Sequence, residues 1–236
     1  MRGRVPPRPV AEIAEAAAGV FITKGYRAAG ISDVAKALGL SHGAVYTYAK
    51  SKEALLYLAL LRLARPDSLQ DLEIPVPTPT EQEIVAVLDT GEDIRGGLPG
   101  LARALGGRRN VPVAEEFGAI IDELYSFVEH NRMLLALIER SARDLPELAQ
   151  FWFVRRRRAS IEALGDYVRK RIKSGVMRPV PDIPAAARFI VETIAWFAWH
   201  RIGDPDSAML DDDACRQTVR HLLLSAFLSD RDGVLP

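Results

Sequence analysis

Cysteine is nearly absent from the 236-residue chain, where Cys215 stands alone. A lone thiol can neither pair within the chain nor build a cysteine-rich zinc site, so nothing asks for an oxidising compartment. Long apolar runs are missing as well. Val10 to Thr23 comes nearest, but Glu12 and Glu15 interrupt it with helical spacing, so it reads as a retained helix rather than a cleaved signal. The run Trp196-Phe-Ala-Trp-His is strongly apolar, yet Glu192, His200 and Arg201 make its surroundings too polar to span a bilayer. A cytoplasmic protein without membrane contact is expected. Catalytic patterns are also lacking: His42, His130, His200 and His221 show no i, i+4 metal spacing, and there is no glycine-rich phosphate loop or nucleophile elbow. Asp211 to Asp213 sit at a helix start, where acids serve capping and the dipole. Neither enzyme activity, metal nor cofactor is expected; His130 with Glu129 and Cys215 are the remote catalytic candidates.

What is present is ordinary globular material, 48% hydrophobic and 26% charged, which excludes disordered, collagenous and membrane-spanning classes. The length admits a small motif domain joined to a larger one. Net charge is zero over the whole chain, with 31 basic against 31 acidic residues, but it is unevenly placed. Residues 1–65 hold ten basic and four acidic groups, a net of +6, which leaves −6 on the remainder. Such asymmetry suggests a nucleic-acid-binding segment, or simply a solubilising arginine-rich end.

Helical periodicity runs through the chain and strand alternation does not, so the fold is expected to be all-α with nine or ten helices. Ile13, Ala16, Ala17, Val20 and Phe21 form one face of a first helix that stops at Gly25. Ile31, Val34, Ala35 and Leu38 repeat the stripe over two turns before Gly39. Ser41 and Ser51 are good N-caps for a short third helix and for a fourth that continues to about Arg65. Residues 66–112, rich in proline and glycine, read as a loop-rich boundary region with short helices at Glu81 to Leu88 and Leu98 to Leu105. Long helices are then expected over Ala114 to Ala142, Pro146 to Ser174, Pro184 to Ile202 and Asp211 to Leu228. The domains are accordingly 1–65 and 66–236.

The informative unit is Ile31 to Ala49. Two short helices joined by Gly39-Leu40 and a capping serine match a helix-turn-helix, whose second helix enters the major groove; an αα-corner in a core is the alternative. That second helix reads Ser41-His-Gly-Ala-Val-Tyr-Thr-Tyr. Gly43 lets the backbone approach base edges, Tyr46 and Tyr48 offer hydroxyls to phosphates, and Lys52 places a cation at the start of the next helix.

The run from Gly25 through Gly30-Ile-Ser-Asp-Val-Ala-Lys-Ala-Leu-Gly-Leu-Ser-His-Gly-Ala-Val-Tyr-Thr-Tyr to Leu56 resembles the DNA-binding signature of the tetracycline-repressor (TetR) family. The resemblance covers about the first 60 residues. It implies a homodimeric transcription regulator, more often a repressor, that binds double-stranded palindromic operator DNA and is released by a small ligand. It implies base or close backbone contacts at His42, Gly43 and Thr47, and phosphate contacts at Ser41, Tyr46, Tyr48 and Lys52. Three positions depart from the pattern. Ala49 stands where a phenylalanine is usual, and Ala29 and Gly30 stand where threonines are usual, leaving a weaker N-cap. Arg2, Arg4 and Arg8 form an arm for an adjacent minor groove, or a disordered tail.

The resemblance also implies that the last two helices form a dimer seam, with Ala186, Ile190, Ile194, Phe197, Leu222 and Phe227 as apolar contacts. A ligand pocket in such a bundle lies between helices and is mostly apolar with a few polar anchors. Candidates are Phe127, His130, Met133, Leu137, Trp152, Phe153, Arg156 and Trp196, for each of which core packing is the competing reading. Arg155 to Arg158 form a solvated face or a second nucleic-acid patch. The alternatives to a ligand-released repressor are a constitutive or partner-regulated DNA-binding factor and, remotely, an enzyme or interaction scaffold.

Overall fold

A computed structural model describes residues 8–89, 98–107 and 111–229. Among them the helices are α1 (Val10–Lys24), α2 (Ile31–Leu38), α3 (His42–Val45), α4 (Lys52–Ala64), α5 (Glu81–Asp89), α6 (Pro99–Gly106), α7 (Val113–His130), α8 (Arg132–Ser141), α9 (Pro146–Ala149), α10 (Arg158–Lys173), α11 (Ile183–Ala198) and α12 (Asp212–Phe227). No sheet forms among the described residues; two isolated bridges join Ala49 to Val76 and Met177 to Leu228. The fold is all-α. Arg2 and Arg4 lie outside the described residues.

The chain packs as two units. Met1–Arg95 with Met133–Phe153 make the first, and Gly96–Arg132 with Val154–Pro236 the second. Division by packing therefore differs from a functional boundary at residue 65, because α5, most of α8 and α9 join the helix-turn-helix. The reason lies in α4. Ala54, Leu55, Leu56, Leu58, Ala59, Leu60 and Leu61 are all buried, so this helix is apolar nearly all round and needs cover on more than one side. It packs against α1 on one side and α5 on another, and α5 in turn meets α9. The α1 face that meets it is Ile13, Ala14, Ala17, Ala18 and Phe21, offset from the face expected from spacing.

In the second unit α11 packs against α7, α10 and α12. Phe117 stacks on Tyr167 at 6.0 Å and meets the edge of Phe227 at 5.8 Å. One ion pair is buried in this core. Arg171 on α10 donates from Nε to Glu116 Oε1 at 2.7 Å and from its terminal nitrogen at 2.6 Å, and it also reaches the Ala104 carbonyl at 3.3 Å. Tyr167 donates its hydroxyl to the same carboxylate oxygen at 3.0 Å. Burial, then the neighbouring Glu116 charge, pushes the Tyr167 hydroxyl far above the ordinary phenol range.

Two helices expected to be continuous are broken. The span 114–142 divides at Asn131, whose side-chain amide donates to the Phe127 carbonyl at 2.8 Å while its own backbone N–H reaches the same oxygen at 3.1 Å. An asparagine that bonds its own preceding turn competes with helix continuation. The span 146–174 starts as α9, passes through wide π-type turns at Gln150–Arg157, and becomes regular only in α10. The helix expected to run to Ile202 ends at Ala198, followed by a 3-10 turn over His200–Gly203.

Removing one member of a buried, hydrogen-bonded ion pair strands the other charge. R171A is therefore expected to lower unfolding free energy by about 3–5 kcal/mol in denaturant titration. Substitutions of the exposed Arg169 are expected to change it by less than about 0.5 kcal/mol.

Candidate nucleic-acid interface

Local sequence builds the reading segment. Ile31, Val34, Ala35 and Leu38 turn α2 onto α1, and Gly39 ends it in the left-handed conformation at φ 65°, sending the Leu40 N–H back to Ala35 O at 2.9 Å. Gly30 is a bare N-cap, but Asp33 compensates by accepting the Gly30 N–H at 2.9 Å and pairing with Lys24. That Lys24 bond, then the Gly30 N–H, holds the Asp33 carboxyl below its ordinary value of 3.8. Ser41 caps α3 by accepting the Ala44 N–H at 3.2 Å, and Val45 anchors it with no exposed surface.

Ser41, His42, Gly43, Tyr46 and Thr47 are exposed, on either side of the half-buried Ala44 and the buried Val45. The His42 and Tyr46 rings meet edge to face at 5.3 Å, so both are held on the same surface. Thr47 donates its hydroxyl to Ala44 O at 2.7 Å and keeps its oxygen lone pairs for an incoming donor. Lys36 and Lys50 are exposed nearby in sequence, and neither was singled out by pattern.

Two expected phosphate contacts are placed differently. Tyr48 is buried, and its hydroxyl accepts the backbone N–H of Arg8 at 2.7 Å. Lys52 turns its Nζ onto the carbonyls of Tyr26 at 3.0 Å, Ala29 at 3.2 Å and Arg27 at 3.5 Å, and lies 4.5 Å over the Tyr26 ring. An ammonium has three donors, so these carbonyls occupy all of them. The role of Lys52 is thus to pin the α1–α2 turn. Tyr26 completes the pin by donating to Glu53 Oε1 at 2.8 Å, and the Arg27 N–H is accepted by Asp144 at 3.0 Å. Burial, then the bond to Glu53, drives the Tyr26 hydroxyl far upward. Burial pushes Glu53 up, but bonds from its own N–H, Tyr26 and Ser51 outweigh it and hold that carboxyl low.

The sequence pattern of the family described as bacterial regulatory proteins, tetR family, matches residues 13–57, which is α1 to the first half of α4. The HTH-type transcriptional repressor KstR2 of Mycolicibacterium smegmatis is 25% identical over 200 residues, covering 84% of this chain and 82% of its own. The N-terminal helix-turn-helix thus carries the DNA-binding pattern of tetR-family regulators. The family consists of transcriptional regulators rather than enzymes. The structure of ketosteroid transcriptional regulator KstR2 of Mycobacterium tuberculosis superposes with TM-score 0.60 at 20% identity, covering 96% of this chain and 98% of that one. AibR, in complex with isovaleryl coenzyme A and operator DNA, does so with TM-score 0.56 at 16% identity, over 93% and 100%.

The remaining candidates are dispersed. Phe127, His130, Arg156 and Trp196 belong to the second packing unit, whereas Met133, Leu137, Trp152 and Phe153 belong to the first. His130 is exposed, with Nδ1 2.7 Å from the Ser126 carbonyl; Met133 is exposed; Phe127, Phe153 and Arg156 are half-buried. Leu137 and Trp152 are buried, and the Trp152 indole N–H has no partner. Of the seam candidates, Ile190, Ile194 and Phe227 face the second unit's own core and have no surface to offer a partner. Ala186 and Phe197 are half-buried. Leu222 is 59% exposed, and the large apolar groups that α11 leaves exposed are Phe189, at 57%, and Trp196. Spacing identified the helices but rotated their faces. Among the described residues no helix is long and apolar enough to cross a membrane.

Hydrogen bonds to a charged group contribute about 1.5–3 kcal/mol each. K52A is expected to lower the denaturation midpoint of the first unit while leaving the salt slope of DNA binding unchanged, as measured by anisotropy at several ionic strengths. Asp33, with its depressed value, contributes stability that is present above pH 3.8 and is lost as pH falls through the lower folded value. Thermal melts of D33N should lack this acid-dependent decline in the first unit.

Proposed function

We propose that the chain is a homodimeric repressor, acting in the cytoplasm, that reads a palindromic double-stranded operator through Ser41–Thr47 and is released by a small, largely apolar ligand. The observation that carries this reading is the exposed set Ser41, His42, Gly43, Tyr46 and Thr47 on a sealed scaffold. His42, Gly43 and Thr47 face bases, while Ser41 and Tyr46 bind phosphates. Residues 1–65 carry the DNA function, and 66–236 carry ligand binding and dimerisation. Phe189, Trp196 and Leu222 support pairing through α11 and α12, because exposed apolar side chains of this size gain most by mutual burial. Two reading segments about 34–36 Å apart, or a multiple, fit successive major grooves. A ligand that binds one dimer geometry better than another shifts that separation, to the extent of its differential affinity. AibR forms a complex with isovaleryl coenzyme A, so a short acyl group, presented on coenzyme A, is the first ligand to try.

Selection of bound duplexes from a random pool, followed by anisotropy with increasing salt, tests this reading. A half-site repeat bound roughly 10³-fold or more above the unselected pool is expected. Y46F should weaken binding to every duplex by roughly tenfold, the loss of one hydrogen bond to a charged group. T47V should change which duplex is preferred. Equal weak binding to all duplexes overturns the reading, and operator binding unmoved by a panel of acyl coenzyme A thioesters and of uncharged apolar ligands favours the constitutive factor.

A further inference from the structure

The reading helix α3 is a single turn, too short to hold its own direction. Its N-terminal end is set by Ser41 and its underside by Val45. Beyond Val45 the chain leaves the helix, and the backbone of Tyr48 to Lys50 is held by a segment remote in sequence. Val76 donates its N–H to Tyr48 O at 2.8 Å, and Val76 O accepts the Lys50 N–H at 2.9 Å. Both bonds of one parallel bridge are therefore made, centred on Ala49 and Val76. Paired residues of such a bridge project to the same side, and both are sealed, Ala49 at 0% and Val76 at 4% exposure.

The segment that delivers Val76 is Ile74-Pro-Val-Pro-Thr-Pro79. Ile74 and Pro75 bend the chain into Val76, and beyond it Pro77 and Pro79 restrict φ and stiffen the run to Thr80. It runs directly into a reciprocal cap, in which Thr80 N–H donates to Glu83 at 2.7 Å and Glu83 N–H donates to Thr80 Oγ1 at 3.2 Å. That cap starts α5, which packs on α4, and Glu81 at its first turn accepts the Glu147 N–H at 3.1 Å. The strap is thus stiff, anchored at its far end, and bonded at its near end to the residues that follow the reading helix.

We propose that Ile74–Pro79 is a positioning strap for the DNA-reading segment Ser41–Thr47, with Val76 as the residue through which it acts. The proposal rests on the DNA-reading role of that segment. Recognition needs side chains held to within about 0.5 Å by supporting contacts, and α3 has few of its own. Val76 touches no DNA in this account; it sets the pose of residues that do. The anchorage gives α5 a direct hold on the reading segment.

The test compares V76G, the milder V76A and the conservative V76I in the full-length protein. Backbone hydrogen exchange of residues 41–50 is measured without DNA, and affinity is measured for the duplex selected by the wild type and for the unselected pool. V76G should speed exchange at residues 46–50 with α1 unchanged, and weaken the selected duplex at least tenfold while the pool changes less than twofold. V76A should fall between, and V76I should match the wild type in both readouts. Wild-type exchange and wild-type selectivity in V76G, or in V76A where V76G does not fold, would overturn the strap. So would equal losses on both DNA classes, which would mark general destabilisation. A wild type that selects no duplex removes the DNA reading and the proposal with it, an outcome distinct from a selective wild type with an indifferent Val76.

Discussion

A one-turn helix cannot orient itself, and the whole first unit is arranged around that constraint. The side chains that face outward from α3 are useful only if its backbone is fixed from below and from both ends. Val45 fixes it from below, Ser41 at the start, and Val76 just beyond the end. The same unit holds α4, which is leucine-rich on nearly every face and cannot be left uncovered in water. Covering it recruits α1, α5 and, through α5, α9. The exposed polar side chains of Ser41–Thr47 thus sit on a unit whose interior is apolar.

The fold was legible where local chemistry decides it. Gly25 and Gly39 ended helices at the expected places, and Ser41 and Ser51 both capped through their hydroxyls. Long-range contacts were not legible. Tyr48 and Lys52 have the right composition for phosphate contacts, yet one accepts the Arg8 N–H and the other binds three carbonyls. Lysine spacing says where an ammonium can start, not which of several nearby acceptors captures it. Val76 gave no signal, because it sits in a proline-rich stretch that reads as a boundary. Helical periodicity located α11 and α12, the first with its end four residues too late, but left open which face is buried: Ile190 is sealed and its neighbour Phe189 is exposed.

Charge in the second unit is organised for pairing rather than display. Arg216 bonds Glu129 at 2.6 Å and Ser126 at 3.0 Å and lies 4.4 Å from the Tyr125 ring; Arg220 bonds Asp122 at 3.2 Å. Arg201 is buried, donates to the carbonyls of Phe197 and Leu210 and pairs with Asp212. Arg157 and Arg188 converge on Glu192, each at 2.8 Å. Part of the four-arginine run that opens α10 is thereby tied to a carboxylate on α11. A chain of zero net charge can thus concentrate its uncompensated cations at one end, because most arginines elsewhere have a carboxylate or a carbonyl assigned to them.

The first unit is discontinuous: residues 133–153 return to complete what residues 8–89 begin. Seen from the ribosome, the DNA-reading half emerges early but must wait for more than forty further residues before its last pieces arrive. During that interval α5 lacks the cover of α9, and the closing contacts span a long stretch of chain, which slows folding. The first unit is therefore complete only once residue 153 has been made. A fragment that stops at the end of the helix-turn-helix would be missing packing that the intact chain supplies from its middle.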